Sequence, residues 1–226
     1  MKPYIVAMTG ASGAVYGVRL LQVLCEAGVP VELVISDTAK IVMREELGIE
    51  DSQMSSPNAC LGQVGDPGLS ATRPRTDPSF GGDSRLRGND KGGMIHLHEF
   101  KDFTAPIASG SYPTEGMVII PCSMGTLGAI ASGLSQNLIH RAADCTIKEG
   151  RKLILVPRET PLSAIHLENM LKLSRLGVRI VPPMPAFYGA QQTVSDLVDF
   201  VVGKVLDQMG ISHALYPRWI GKVTQD

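Results

Sequence analysis

Apolar residues recur along this chain in two alternating rhythms. Short, almost unbroken apolar runs read as strands: YIVAM at residues 4–8, VPVELVIS at 29–36, GMVIIPC at 116–122, KLILVP at 152–157 and VRIVPP at 178–183. Runs of that length without alternation fit strands buried on both faces. Between them, apolar residues return every three to four positions, at residues 14–26, 39–47, 137–148, 162–173 and, most strongly, in SDLVDFVVGKVLDQM at 195–209. In the first of these Val15, Val18, Leu21 and Val23 or Leu24 share one helical face. Strands alternating with helices imply a parallel sheet covered on both faces. The pattern predicts a single α/β domain over residues 1–226, with a Rossmann-like or flavodoxin-like parallel sheet.

The rhythm breaks once. Residues 51–93 are rich in Gly, Pro, Ser, Asp and Arg and carry no apolar period, which predicts a flexible insertion within the domain. Its arginines (Arg73, Arg75, Arg85, Arg87) suggest nucleic acid only superficially, because the whole chain has a formal net charge of −1. That balance calls for neither nucleic acid nor an anionic membrane. No apolar run approaches the ~20 residues of a membrane span, and Met-Lys-Pro-Tyr running straight into a strand does not read as a signal peptide. Cys25, Cys60, Cys122 and Cys145 are scattered without a C-x-x-C pair, which fits a reducing cytoplasm.

In an open parallel sheet, ligands bind beyond the carboxyl ends of the strands. The first strand runs into TGASGAVYG, whose glycines Gly10, Gly13 and Gly17 miss the dinucleotide spacing G-x-G-x-x-G by one residue. The second strand ends at Ser36, the third at Ser123-Met124-Gly125-Thr126, and KLILVP at Arg158-Glu159. Small, hydroxyl-bearing turns at neighbouring strand ends can cradle a phosphate with backbone N–H groups and hydroxyls. Each turn alone could equally be a tight strand-to-helix connection. Arg141 and Lys148 lie seven residues apart on one predicted helix face, and Glu46 lies near the end of the second helix. Each of these, taken singly, reads as a solvated charge. His96 and His98 in IHLHE share one face of a strand, as a metal pair would, but no third ligand is visible at useful spacing.

Taken together these blocks resemble the flavin prenyltransferases of the UbiX/Pad1 family. The likeness covers residues 3–46 and 105–219 and rests on MTGASGAVYG, PIASGSYPTEGMVIIPCSMGTL, NLIHRAADCTIKEGRKLILVPRETPLSAIHLENML, PPMPAFY and PRW, in that order. The resemblance implies a metal-independent prenyltransferase that joins the dimethylallyl group of dimethylallyl phosphate to N5 and C6 of reduced FMN. A fourth, non-aromatic ring results, and the product serves a UbiD-type decarboxylase, often in ubiquinone biosynthesis. It implies a large homo-oligomer, commonly a dodecamer, and a transferase in place of an aromatic-acid decarboxylase. Carried onto this chain, FMN falls to Gly10, Ala11, Ser12, Ser36, Ser123, Met124, Gly125, Thr126 and Arg141. The prenyl phosphate falls to Tyr188 and Lys204, with a neighbouring subunit contributing, and to Lys148, Arg158 and Glu159. Glu46, Ser12, Trp219 and Phe103 surround the reacting centre.

The chemistry is coherent on these residues. An allylic phosphate ionises when its departing charge is stabilised, which Lys148, Arg158, Lys204 and the Tyr188 hydroxyl can do. The sequence has no DDxxD-like carboxylate cluster to hold Mg²⁺. Aromatic faces at Phe103 or Trp219 suit a transient allyl cation, and Glu159 is the candidate proton relay. Two other classes stay open. An FMN-dependent cysteine decarboxylase would want a histidine near the first helix, where this chain has Tyr16, and a non-catalytic FMN carrier would not need the phosphate cations.

Overall fold

The computed structural model describes residues 1–54, 95–187 and 192–219. At its centre is a sheet of β1 (Tyr4–Met8), β2 (Val31–Ile35), β3 (Ile95–His98), β4 (Gly116–Cys122), β5 (Lys152–Pro157) and β6 (Arg179–Ile180). The order is β3-β2-β1-β4-β5-β6, and every pairing is parallel. The chain works outward from β1 to β3 and then returns to the other side of β1 to lay down β4. This is the Rossmann strand order, and it opens a crevice beyond the carboxyl ends of β1 and β4.

The helices are α1 (Ala14–Glu26), α2 (Asp37–Leu47), α3 (Asp51–Met54), α4 (Met124–Ala131), α5 (Leu138–Lys148), α6 (Ala164–Arg175) and α7 (Val194–Met209), with a 3-10 turn at Pro106–Ala108. The two-residue period of each strand sorts the core into two layers. Tyr4, Val6, Met8, Val118 and Ile120 pack with α1, α2 and α7, whereas Ile5, Ala7, Met117 and Ile119 pack with α4, α5 and Leu173 of α6. Both layers are dry, with Val6, Ala7, Met8 and residues 117–120 fully excluded from solvent. Burying an aliphatic side chain of this size contributes about 1.5–3 kcal/mol each.

Several boundaries move for local reasons. β2 starts at Val31, after Pro30, which has no N–H to give to a ladder. α2 starts at Asp37 because Ser36 caps it, accepting the Ala39 N–H at 3.1 Å. α6 starts at Ala164 behind a Ser163–His166 capping box. β6 keeps only Arg179–Ile180 of the expected VRIVPP, since Pro182 and Pro183 cannot extend the ladder. The expected insertion at 51–93 also needs trimming: its first four residues form α3, and Met54 is buried in the core. Residues 55–93 lie outside the described residues.

Candidate functional site

Two turns at the switch point are tied together by a residue the sequence reading passed over. Thr9 is buried, donates its hydroxyl to the Pro121 carbonyl at 2.9 Å and accepts the Ser123 N–H at 2.7 Å. One side chain thus fixes the carboxyl end of β1 against that of β4. Ser123 in turn caps α4, accepting the Thr126 N–H at 3.2 Å, and lies 3.0 Å from the Thr126 hydroxyl. Ser36 is buried beside them at the end of β2, with its N–H on the Met8 carbonyl.

The TGASG turn is shaped by a second unexpected contact. Gly13 sits at φ +100°, a left-handed conformation that suits glycine. Its N–H and that of Ala14 both donate to the Glu46 carboxylate, at 2.9 Å each to Oε2. The acid therefore satisfies the orphan donors at the positive end of α1. A dinucleotide pyrophosphate would need that same helix end, so the NAD reading fails on geometry as well as on glycine spacing. These two bonds let Glu46 hold the loop.

The remaining turn residues leave room for a ligand. Gly10 is required by the chain itself, because a Cβ there would lie 2.5 Å from Thr38. Gly125 is different: it is exposed in the first turn of α4, its φ is ordinary, and a Cβ would meet nothing within 4 Å. No neighbour in the chain excludes a side chain at that point. The open space sits beside the Ser123 and Thr126 hydroxyls and the N-terminus of α4. Such a donor set fits the phosphate end of FMN. Ala11 is buried under the loop, Ser12 is exposed on it, and Met124 is partly buried at the start of α4.

The charged candidates do not all converge. Arg158 does: its Nε donates to the Ser12 carbonyl at 3.3 Å, joining the end of β5 to the first loop. Glu159 beside it is exposed and accepts the Thr160 N–H at 3.1 Å. Arg141 instead donates Nε to the Ala108 carbonyl at 2.9 Å and pairs with Asp144 at 2.9 Å, anchoring the 3-10 turn to α5. Lys148 lies at the far end of α5, paired with Glu149 and close to the start of β5. With 11 residues in α5, that end is about 16 Å along the helix axis from the flavin-side turns. Lys204 and Trp219 also belong to the amino-terminal side of the sheet. α7 ends where the Met209 carbonyl accepts the Tyr4 hydroxyl at 2.6 Å, at the start of β1. Within a single chain the helix directions therefore place Lys148 and Lys204 apart from Arg158, and their expected meeting on one phosphate involves a neighbouring subunit. Phe103 and Trp219 are exposed at 48% and 67%, as aromatic faces offered outward. Tyr188 lies outside the described residues.

Two further features went unseen in the sequence. Asp207 gathers the segment after α7: it accepts the Tyr216 hydroxyl at 2.7 Å and both Arg218 terminal nitrogens at 2.7 and 2.8 Å, and His213 Nε2 lies 3.1 Å away. The Arg218 guanidinium, aided by Tyr216 and His213, holds the Asp207 carboxyl well below the usual carboxylate range. Only the i,i+3 pairing of Lys204 with Asp207, at 3.8 Å, could have been read from spacing. Cys122, in the flavin-side turn, is fully buried and its thiol is pushed up to about 12 by desolvation, so it is not an available nucleophile.

The comparisons with known proteins agree with this geometry. Residues 1–206 match the Flavoprotein family. A flavin prenyltransferase UbiX from Halalkalibacterium halodurans is 49% identical over 216 residues, which is 96% of this chain and 92% of the relative. A crystal structure of AnUbiX (PadA1) in complex with FMN and dimethylallyl pyrophosphate superposes with a TM-score of 0.78 at 36% identity, covering 98% of each chain. A dodecameric FMN-dependent UbiX-like decarboxylase from Escherichia coli O157:H7 gives 0.77 at 44% identity, covering 97% of this chain and 100% of that one.

Proposed function

The chain belongs to the Flavoprotein family and, within it, to the UbiX flavin prenyltransferases, and from that premise we propose that it transfers the dimethylallyl group of dimethylallyl phosphate to reduced FMN. Reduced FMN, when bound, supplies the electron-rich ring that accepts the allyl group. The observation that carries the reading on this chain is the Arg158–Ser12 contact. It sets a fixed cation, with Glu159 next to it, on the loop that frames the FMN cradle.

The residues then divide the work. The Gly10–Ser12 loop, Ser36, Ser123–Thr126 and the turn anchored by Arg141 shape the flavin cradle. The allylic C–O bond breaks with its electron pair leaving on phosphate, and Arg158 meets that charge from within the subunit. Lys148, Lys204 and Tyr188 meet it from neighbouring copies, in keeping with the placement of Lys148 and Lys204 away from Arg158 in one chain. The likeness to a dodecameric relative supports this division. Charge-assisted contacts of this kind contribute about 1.5–3 kcal/mol each. Phe103 and, from a neighbouring copy, Trp219 offer ring faces to the allyl cation. Glu159 accepts the ring proton displaced by the second bond. The monophosphate is the proposed donor because the chain has no DDxxD-like carboxylates for the Mg²⁺ of a pyrophosphate leaving group. The product is proposed to serve a UbiD-type decarboxylase.

Anaerobic turnover with reduced FMN, comparing dimethylallyl monophosphate with the pyrophosphate, tests this reading. The monophosphate is expected to react faster without added metal. Faster, Mg²⁺-dependent turnover of the pyrophosphate would overturn the donor assignment.

A further inference from the structure

The register of the sheet edge supplies the ligand that sequence spacing did not. β2 and β3 pair with Glu32 opposite His96, and His98 follows two positions along on the same face. Glu32 Oε2 lies 2.6 Å from His98 Nε2 and 3.1 Å from His96 Nδ1. The three candidate ligand atoms all lie within 4.8 Å of one another. The second Glu32 oxygen accepts the Tyr112 hydroxyl at 2.5 Å, so the carboxylate is oriented from behind.

We propose that Glu32, His96 and His98 form a binding site for a zinc-class divalent cation, with the fourth position open to water on the His96 side. Three lines of geometry carry this. A tetrahedral ion with bonds of about 2.0–2.1 Å needs ligand atoms about 3.3 Å apart. The two contacts to Glu32 would lengthen by about 0.7 Å at the buried His98 and about 0.2 Å at His96, and His96, whose side chain is 66% exposed, is free to turn its ring toward the ion. The set of two imidazoles and one carboxylate suits a borderline metal and not Mg²⁺ or Ca²⁺, which prefer oxygen ligands. Finally, the Glu32 carboxylate is only 10% exposed, and a buried carboxylate wants a positive charge beside it. Its three side-chain partners, two imidazoles and a phenol, offer one only as an imidazolium. A bound dication would supply the charge with both histidines neutral, each giving a nitrogen lone pair. Tyr112 would act on the metal only through Glu32. The site would pin β3, the short edge strand that re-enters the sheet at Ile95, to β2, and it does not depend on the flavin chemistry proposed above.

The test uses the full chain, stripped with a chelator and titrated with Zn²⁺ by calorimetry and with Co²⁺ by visible absorption. One Zn²⁺ per chain is expected, with an intense four-coordinate Co²⁺ spectrum and a melting temperature that rises on Zn²⁺ addition. The exposed variant His96→Ala should lose at least a hundredfold in affinity while keeping its fold and FMN binding. Tyr112→Phe should lose about tenfold. If His96→Ala binds Zn²⁺ as the parent does, or if the parent gives only the weak spectrum of hydrated Co²⁺, the cluster is a metal-free carboxylate–imidazole network and the proposal falls. Should His98→Ala or Glu32→Gln fail to fold, His96→Ala and Tyr112→Phe decide the matter alone.

Discussion

Replacing Gly17 by alanine sets two effects of known size against each other. Gly17 is a buried residue of α1 that lies against the backbone of β4: a Cβ there would stand 2.6 Å from the Ile120 carbonyl oxygen and 2.6 Å from the Met8 Cε. The methionine end can swing away, but the β4 carbonyl is fixed between two strands. Reaching an ordinary contact of 3.4 Å needs a retreat of about 0.8 Å by α1, and overpacking of this kind costs about 1–3 kcal/mol. Helix propensity works the other way, since alanine in a helix interior gains about 0.8–1 kcal/mol over glycine. With fixed backbone as the obstacle the clash falls in the upper part of that range, about 2–3 kcal/mol, and the expected net loss is about 1–2 kcal/mol, a fall in Tm of roughly 2–8 °C for a chain of this size. Because the N-terminus of α1 carries the loop held by Glu46, FMN affinity should fall too. Denaturant melts of Gly17→Ala beside Gly125→Ala, where a Cβ meets nothing, provide the assay. A Gly17→Ala protein as stable as the parent, or more so, would refute the claim that β4 excludes a side chain there.

Gly125→Asp should leave the stability within about 0.5 kcal/mol of the parent yet abolish FMN binding by placing bulk and charge in the cradle, as fluorescence titration would show. Glu159→Gln should keep FMN affinity while slowing turnover with dimethylallyl phosphate, and stopped-flow kinetics separates the two. Lys204→Ala should likewise spare the flavin and lower turnover by roughly ten- to a hundredfold. Asp207, depressed in the folded state, stabilises the segment after α7 in full above the ordinary aspartate value of about 3.9, and that contribution erodes progressively as pH falls from there through the lower folded-state value. Trp219, the only tryptophan, should report release of the segment by a fluorescence change below about pH 4, and Asp207→Asn should show the released signal already at neutral pH.

The sheet was legible because β1, β4 and β5 are buried on both faces, so their sequences are apolar without interruption. β6 is shorter than its sequence suggests for the complementary reason: VRIVPP looks as apolar as the others, but prolines end its ladder after Ile180. The flavin-side turns could be read because glycine and hydroxyl residues concentrate at strand ends. What fastens them could not, since Thr9 meets Ser123 and Glu46 meets Gly13 only after the fold is built. The direction of α5 was equally invisible, and it carries Lys148 away from Arg158. Glu32 and His96 are far apart in sequence, and only the β2–β3 register makes them neighbours.

The proposed reaction forms a carbon–nitrogen and a carbon–carbon bond between a dimethylallyl group and FMN. The most direct measurement is mass spectrometry of the flavin extracted after anaerobic incubation of the protein with reduced FMN and dimethylallyl phosphate. A flavin heavier by one five-carbon isoprenyl unit is expected, with inorganic phosphate released in equal amount and with the fourth ring closing more slowly in Glu159→Gln. Recovery of unmodified FMN alone, with the dimethylallyl phosphate intact and the protein folded and flavin-bound, would contradict it.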